Sequence, residues 1–511
     1  MNYTVFNIIN GTSGRDSLLD TAGNDVMTGG AGDDIFYSTG GRDFITDLSQ
    51  GDNLAVNLYG DASATLVTDW TARTYTSNDG RAHLTASGHD VNLNLAAGTK
   101  GFTVSNAGNG SDVRFIGSKQ NDTLIGGSGS DFLNGGAGND VLTGGTGGDT
   151  FKIAGGNDII TDLGRGADTL NVNLYGSVTA TLAGDWTPDW NTNSDGAVSL
   201  KTAGYNVDLS AVGGTKGWDI SNAGSWTGVE LVGSSQDDTL TGGYRADTLD
   251  GGEGNDTYTE TRFTGYDSFV DSGTVGVDKI VLGTGVNGAG VTLGLKDISG
   301  IEVIDGTLGA KNWISGGNGN DTWDFSDVTF LGKICINVGG GDNWVMGTDG
   351  NDYIQSRSAT SGGNDTLNGG AGDDVLFGGA GLNHMIGGEG NDTLWGHGAH
   401  GEILDGGSGN DKLVAGNNGD ILIGGTGRDW LHGGAGADTF VFNERNWGND
   451  VVVRFESGKD VLDFRGSGLT IDDIYEYDSP NGLHTLLSYN GNWITLDHVT
   501  TINHSTDFLF A

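Results

Sequence analysis

A glycine pair that returns every nine residues, each time followed by an aspartate, constrains this chain more than any other feature. The unit is Gly-Gly-x-Gly-x-Asp-x-apolar-x. In a first block it places Asp16, Asp25, Asp34 and Asp43 at equal spacing. A second block carries Asp122, Asp131, Asp140, Asp149 and Asp158, and a third Asp238, Asp247 and Asp256. The longest block has Asp365 and Asp374, reads Asn383 where aspartate is due, and continues at Asp392. It slips by one residue through Gly396–Glu402 and resumes at Asp411, Asp420, Asp429 and Asp438. Isolated copies end in Asp321 and Asp352. Self-similarity at a fixed short period calls for stacked, near-identical turns.

Each part of the unit has a physical reason. Glycines permit a tight turn with positive φ, and the apolar residue two after the aspartate points inward from a very short strand. Gly 97 against Pro 2 excludes collagen. A formal net charge of -43 is more than a compact fold holds without counter-ions, while 35% hydrophobic residues and 12 Trp argue against disorder. A cation-neutralised fold reconciles the two. Rows of aspartate beside bare carbonyls offer calcium the six to eight hard oxygens it takes. Zinc is not expected, because no Cys/His cluster has ligand spacing. The acidity also disfavours nucleic acid and anionic membrane as partners. The lone Cys335 permits no intrachain disulfide and reads as a buried, inert thiol. The opening Met1-Asn2-Tyr3-Thr4-Val5-Phe6-Asn7 lacks a secretory signal's basic start and apolar run, and no segment reaches transmembrane length.

These blocks resemble the RTX (repeats-in-toxin) hemolysin-type calcium-binding family. The resemblance implies an all-β fold of parallel β-roll or β-solenoid blocks, two nonapeptides per coil, with calcium ions between stacked turns. Aspartates eighteen apart would then share a row: Asp16 with Asp34, Asp25 with Asp43, Asp122 with Asp140 and Asp158, Asp131 with Asp149, Asp411 with Asp429, and Asp420 with Asp438. All twenty-one repeat aspartates named above are candidate calcium ligands on this reading. Weak or missing sites are expected at Asn383 and at Asp247, where Gly242-Gly243-Tyr244-Arg245 breaks the glycine pattern. Without calcium the rows of carboxylates should repel and the solenoid should be largely unfolded. The segment Asp450–Phe464 looks like the flank that closes such rolls with a last strand pair. The ending Asp507-Phe508-Leu509-Phe510-Ala511 is similar to an uncleaved type I secretion signal, or is a plain terminal strand. The implied partners are therefore calcium ions and the type I secretion machinery.

A longer duplication runs underneath. Val56-Asn57-Leu58-Tyr59-Gly60 recurs as Val172-Asn173-Leu174-Tyr175-Gly176, Asp69-Trp70 as Asp185-Trp186, and Gly98-Thr99-Lys100-Gly101 as Gly214-Thr215-Lys216-Gly217, all at one offset of about 116 residues. Ser105–Gly108 likewise recurs as Ser221–Gly224. Between the blocks the chain alternates with period two, as in Val91–Leu95, and reads as strands. The only helical hint is Thr470–Ile474. The expected organisation is a first repeat block over 1–50, β-rich copy 1 over 51–116, block two over 117–165, β-rich copy 2 over 166–232 and block three over 233–259. There follow an irregular β-helix-like segment over 260–345, block four over 346–441, and a capping and secretion region over 442–511.

No His-Glu-x-x-His or Gly-x-Ser-x-Gly motif occurs. The histidines are scattered: His397 and His400 lie in the slipped turn, His83, His89, His484, His498 and His504 in strand-like segments, and surface or packing roles are expected for each. Trp70, Trp186, Trp190, Trp218 and Trp226 sit amid Asn, Thr and Asp, so core packing and sugar stacking both stay open. The sequence reads as an extracellular, secreted or cell-surface calcium-binding protein with a structural, surface-layer, matrix or adhesion role, and with self-assembly as one route to it. The alternatives are a calcium-dependent carbohydrate-binding module facing extracellular polysaccharide, or a polysaccharide-modifying enzyme on a β-helix.

Overall fold

The computed structural model describes residues 6–260, 265–285, 289–356, 362–396, 400–480 and 482–510. It divides into two units, one of residues 1–257 with 272–276, the other of 258–271 with 277–511. Both are parallel β-solenoids. The opening residues Met1–Val5, together with His397 and Ala511, lie outside the described residues. Among the described residues no helix is long and apolar enough to cross a membrane.

In the first unit a single ladder of parallel strands runs through both the nonapeptide blocks and the segments between them. Val26 pairs with Ile8 and Phe44 with Val26, each eighteen residues on. Past the first block the step lengthens to twenty, with His83 beside Ser63 and Thr103 beside His83. It returns to eighteen where Val141 pairs with Thr123, and is twenty again from Thr179 to Ser199 to Asp219 to Thr239. The β-rich copies are thus longer coils of the same solenoid. Two nonapeptides make one coil because each contributes one short strand and one turn.

The apolar residue two after each aspartate fills the interior. Leu124, Leu133 and Leu142 are fully buried in the first unit, as are Leu367, Leu376, Leu394, Leu413, Leu422 and Leu431 in the second. Each such leucine contributes about 1.5–3 kcal/mol of burial. Trp70, Trp186 and Trp218 are also core residues, while Trp190 and Trp226 are exposed.

In the second unit the coils are irregular at first and settle at twenty-two residues, with Ile334 beside Asn312 and Thr366 beside Trp344. It tightens to eighteen from Val375 to Thr393 and takes nineteen at the slip, where Lys412 pairs with Thr393. The end is covered by an antiparallel group, Tyr475–Asp478, Thr485–Tyr489 and Asn492–Asp497, whose last strand joins the ladder beside Asn449–Val453. The helical hint shrinks to one 3-10 turn, Ile471–Asp473, started by Thr470 N–H and Oγ1 donating to the Asp473 carboxylate. The tail forms a terminal strand, Phe508–Leu509, beside Leu462–Asp463. Asp507 anchors it by accepting from Ser457 Oγ (2.6 Å), Gly458 N (2.8 Å) and Asn503 N (2.8 Å). Cys335 is buried, and burial pushes its thiol pKa up, away from the reactive thiolate.

Candidate metal centre

Past the first member of a row, a carboxylate oxygen accepts the backbone N–H of the row-mate in the preceding coil. The N–H of Asp16 donates to Asp34 Oδ1 (2.8 Å), and that of Asp34 to Asp52 Oδ1 (2.8 Å). Asp25 donates in the same way to Asp43, Asp122 to Asp140, Asp140 to Asp158, and Asp131 to Asp149. In the second unit one row runs Asp352, Asp374, Asp392, Asp411, Asp429 and Asp450. The other begins Asp321, Asn343, Asp365, Asn383 and resumes Glu402, Asp420, Asp438, Asp460. The rows take in members that the period of nine does not reveal: Asp168, Asn343, Glu402, Asp450 and Asp460; Asp52 keeps the period but lacks the glycine pattern. Asp20 is another, its carboxylate converging with those of Asp25 and Asp43.

The second carboxylate oxygen separates the aspartates into two sets. Among the described residues Asp34, Asp140, Asp158, Asp374, Asp392 and Asp411 leave Oδ2 buried without a hydrogen-bond partner. Burial, reinforced by the charges above and below in the row, pushes Asp140 and Asp374 up to about 8 and Asp411 to about 7. Burial alone lifts Asp158 to about 6. A buried anionic oxygen with no donor is costly until a cation meets it. Hard carboxylate and carbonyl oxygens with no thiolate suit calcium. At Gly135, a Cβ would run into the carboxylate of Asp140 in the same repeat, so glycine keeps the cradle open.

In the other set that oxygen is already satisfied. Asp122 Oδ2 accepts Ser118 N (2.6 Å) and Ser118 Oγ (2.9 Å). Asp352 accepts the same pair from Thr348, Asp238 from Ser234, Asp16 from Thr12 and Asp25 from Thr21. The deciding variable is the residue at position two. In five of the six open turns it is a glycine with positive φ, such as Gly136 (+99°) before Asp140 or Gly388 (+115°) before Asp392, which turns its N–H away from the carboxylate; before Asp158 the position is Ala154. Serine and threonine rarely adopt that conformation, so they close the turn. Asp131, Asp247 and Asp420 are closed by the N–H of Gly127, Gly243 and Gly416, none with positive φ.

Neutral amides complete the rows. Asn383 Oδ1 takes the Asp365 N–H (3.0 Å) while its Nδ2 donates to Gly378 O (2.8 Å), so this turn is self-satisfied. In the longer coils Asn106 and Asn222 do the same, accepting from Gly88 and Gly204. Two rows of the first unit end under an indole: Trp70 Nε1 donates to Asp52 O and Trp186 Nε1 to Asp168 O, both at 3.1 Å.

The profile of the RTX calcium-binding nonapeptide repeat, four copies long, matches residues 10–45, 116–151, 231–259, 299–322, 337–358, 360–394, 398–418 and 414–444. No curated protein matches the chain.

Proposed function

This chain carries the RTX calcium-binding nonapeptide repeat, and on that premise we propose that it works outside the cell as a calcium-stiffened structural or adhesive element, in a surface layer, matrix or attachment role, reached by type I secretion. The observation that carries this reading is the row through Asp374, Asp392 and Asp411 in the second unit, whose buried Oδ2 atoms without a hydrogen-bond partner support a fold that depends on a hard cation. Extracellular modules of this kind bind calcium at on the order of 10⁻⁴–10⁻³ M, a level met outside cells.

We propose that the ions follow the two classes of turn. Open turns hold calcium, while hydroxyl-closed turns mark where its rows stop. Replacing Thr348 by glycine frees Asp352 Oδ2 from the hydroxyl and allows position two a positive φ. We expect Thr348→Gly to bind about one calcium more than the parent in equilibrium dialysis; an unchanged count sinks the assignment.

A specific observation favours carbohydrate binding as a second reading. Tyr59 and Tyr175 are 81% and 85% exposed, and occupy equivalent positions in the duplicated coils. Tyr59 lines a groove of about 400 Å³ with Leu58, Asp79 and Lys100, and Tyr175 one of about 510 Å³ with Leu174, Asp195 and Lys216. Neighbouring exposed positions have diverged, Val67 to Ala183 and Tyr75 to Asn191. Size-exclusion chromatography and electron microscopy with and without calcium separate the readings. Calcium-dependent assembly supports the structural role. A monomer retarded in alginate or dextran gels, and released by the double change Tyr59→Ala/Tyr175→Ala, replaces it with the second.

A further inference from the structure

The antiparallel hairpin that covers the end of the second unit gathers three potential metal ligands, two of them adjacent in sequence and the third brought to them across the hairpin. Its register pairs Thr485 with Leu496, so His484 and Asp497 face each other one step further out. His484 Nδ1 lies 2.9 Å from Asp497 Oδ1, and His498 Nδ1 lies 3.0 Å from the same oxygen. We propose that His484, Asp497 and His498 form a binding site for a zinc-like divalent transition metal, separate from the calcium rows and independent of their assignment.

The local backbone is built to hold this arrangement. His484 N–H donates to Ser479 Oγ (2.9 Å), its carbonyl accepts from Ser479 N (2.9 Å), and Thr485 Oγ1 donates to Val499 O (3.0 Å). His498 sits at φ +59°, a left-handed conformation that non-glycine residues seldom take and that turns its ring back towards Asp497. The His498 N–H points at His484 Nδ1 (3.1 Å). An imidazole that accepts there carries its proton on Nε2. That nitrogen has one lone pair, so a metal bound there would take the place of the His498 N–H as its partner and draw in the Asp497 oxygen that stands 2.9 Å away.

The chemistry of the donors selects the metal. Two imidazole nitrogens and one carboxylate suit zinc, nickel or copper and are foreign to calcium's oxygen shell. Tetrahedral ligands at 2.0–2.1 Å from zinc stand roughly 3.3 Å from one another, close to the separations seen. The His498 side chain is 74% exposed, which leaves a fourth position open to water or to an external ligand.

The test uses the full chain saturated with calcium and titrated with Co²⁺ as a spectroscopic probe. One Co²⁺ per chain is expected, with the intense visible bands of a tetrahedral site, displaced by Zn²⁺. His484→Gln and Asp497→Asn should each weaken binding by roughly tenfold or more. So should His498→Asn, which keeps a residue tolerant of positive φ, while His504→Gln leaves binding unchanged. Calcium content and far-ultraviolet circular dichroism identify any variant that has not folded, and the remaining variants then decide. Absence of stoichiometric binding by the parent overturns the proposal, as does parental affinity in the folded His484 and His498 variants.

Discussion

Chelating calcium at pH 8 is expected to abolish most of the β-sheet circular dichroism of this protein, whereas chelation at pH 5 should leave much of it in place. The direction follows from the buried carboxylates. In the calcium-free fold, burial raises Asp140 and Asp374 to about 8 and Asp149, Asp411 and Asp438 to about 7. Unfolded aspartate titrates near 3.9. A group whose folded pKa is raised stabilises the fold fully below the unfolded value, and that stability is lost as pH rises through the folded value. Across pH 4 to 8 the unfolded chain has therefore shed protons that the fold still retains, and each such group disfavours the calcium-free fold at pH 8 by on the order of a few kcal/mol. Calcium reverses the trend, because it binds the deprotonated form and so binds more tightly as pH rises. The formal charge of -43 adds general repulsion at high pH. Equal β signal with and without chelator at pH 8 would show that the rows are stable unaided.

The second large effect is expected from one methyl group. Gly388 holds φ +115°, and a Cβ there would meet the backbone carbonyl oxygen of Gly370 in the coil below. Neither atom can move without breaking the ladder, since Gly370 and Gly388 are themselves ladder partners. Gly388→Ala combines an unfavourable backbone conformation with an overlap against fixed backbone, and should cost about 3 kcal/mol or more. It should also bring the N–H at position two back towards Asp392, closing an open turn and removing a calcium. Gly213→Ala serves as the control: its Cβ meets nothing within 4 Å, and a change within about 0.5 kcal/mol is expected there. Thermal melts in saturating calcium, paired with a calcium count, distinguish the two. Comparable melting of both variants would mean that the glycine stack is not what sets the coil.

Much of the fold was legible because a solenoid converts sequence separation into spatial adjacency. Once two nonapeptides fill one coil, residues eighteen apart become neighbours, and the pairing of Asp122 with Asp140 or Asp16 with Asp34 follows from counting. Counting fails wherever the coil changes length. Asp168, Asp450 and Asp460 stand nineteen to twenty-two residues from their partners, and Glu402 enters its row through the slip after Asn383. Their membership depends on where each insertion bulges, which the strand register decides. The intervening segments had the same problem in larger form: their twenty-residue step hid that they continue the ladder, with Asn106 and Asn222 supplying a neutral acceptor where no cation is needed.

By itself, then, the sequence determined the repeat, the inward apolar position and the demand for a cation, because period and charge are properties of order along the chain, while the eighteen-residue rows came from the family resemblance those repeats carry. The tertiary structure decided which carboxylates are open and which are closed, because that choice rests on the sign of φ at position two and on a hydroxyl four residues before the aspartate. It also brought together His484, Asp497 and His498, whose spacing suggested no metal site, because a hairpin register places side chains by facing strands rather than by distance along one of them.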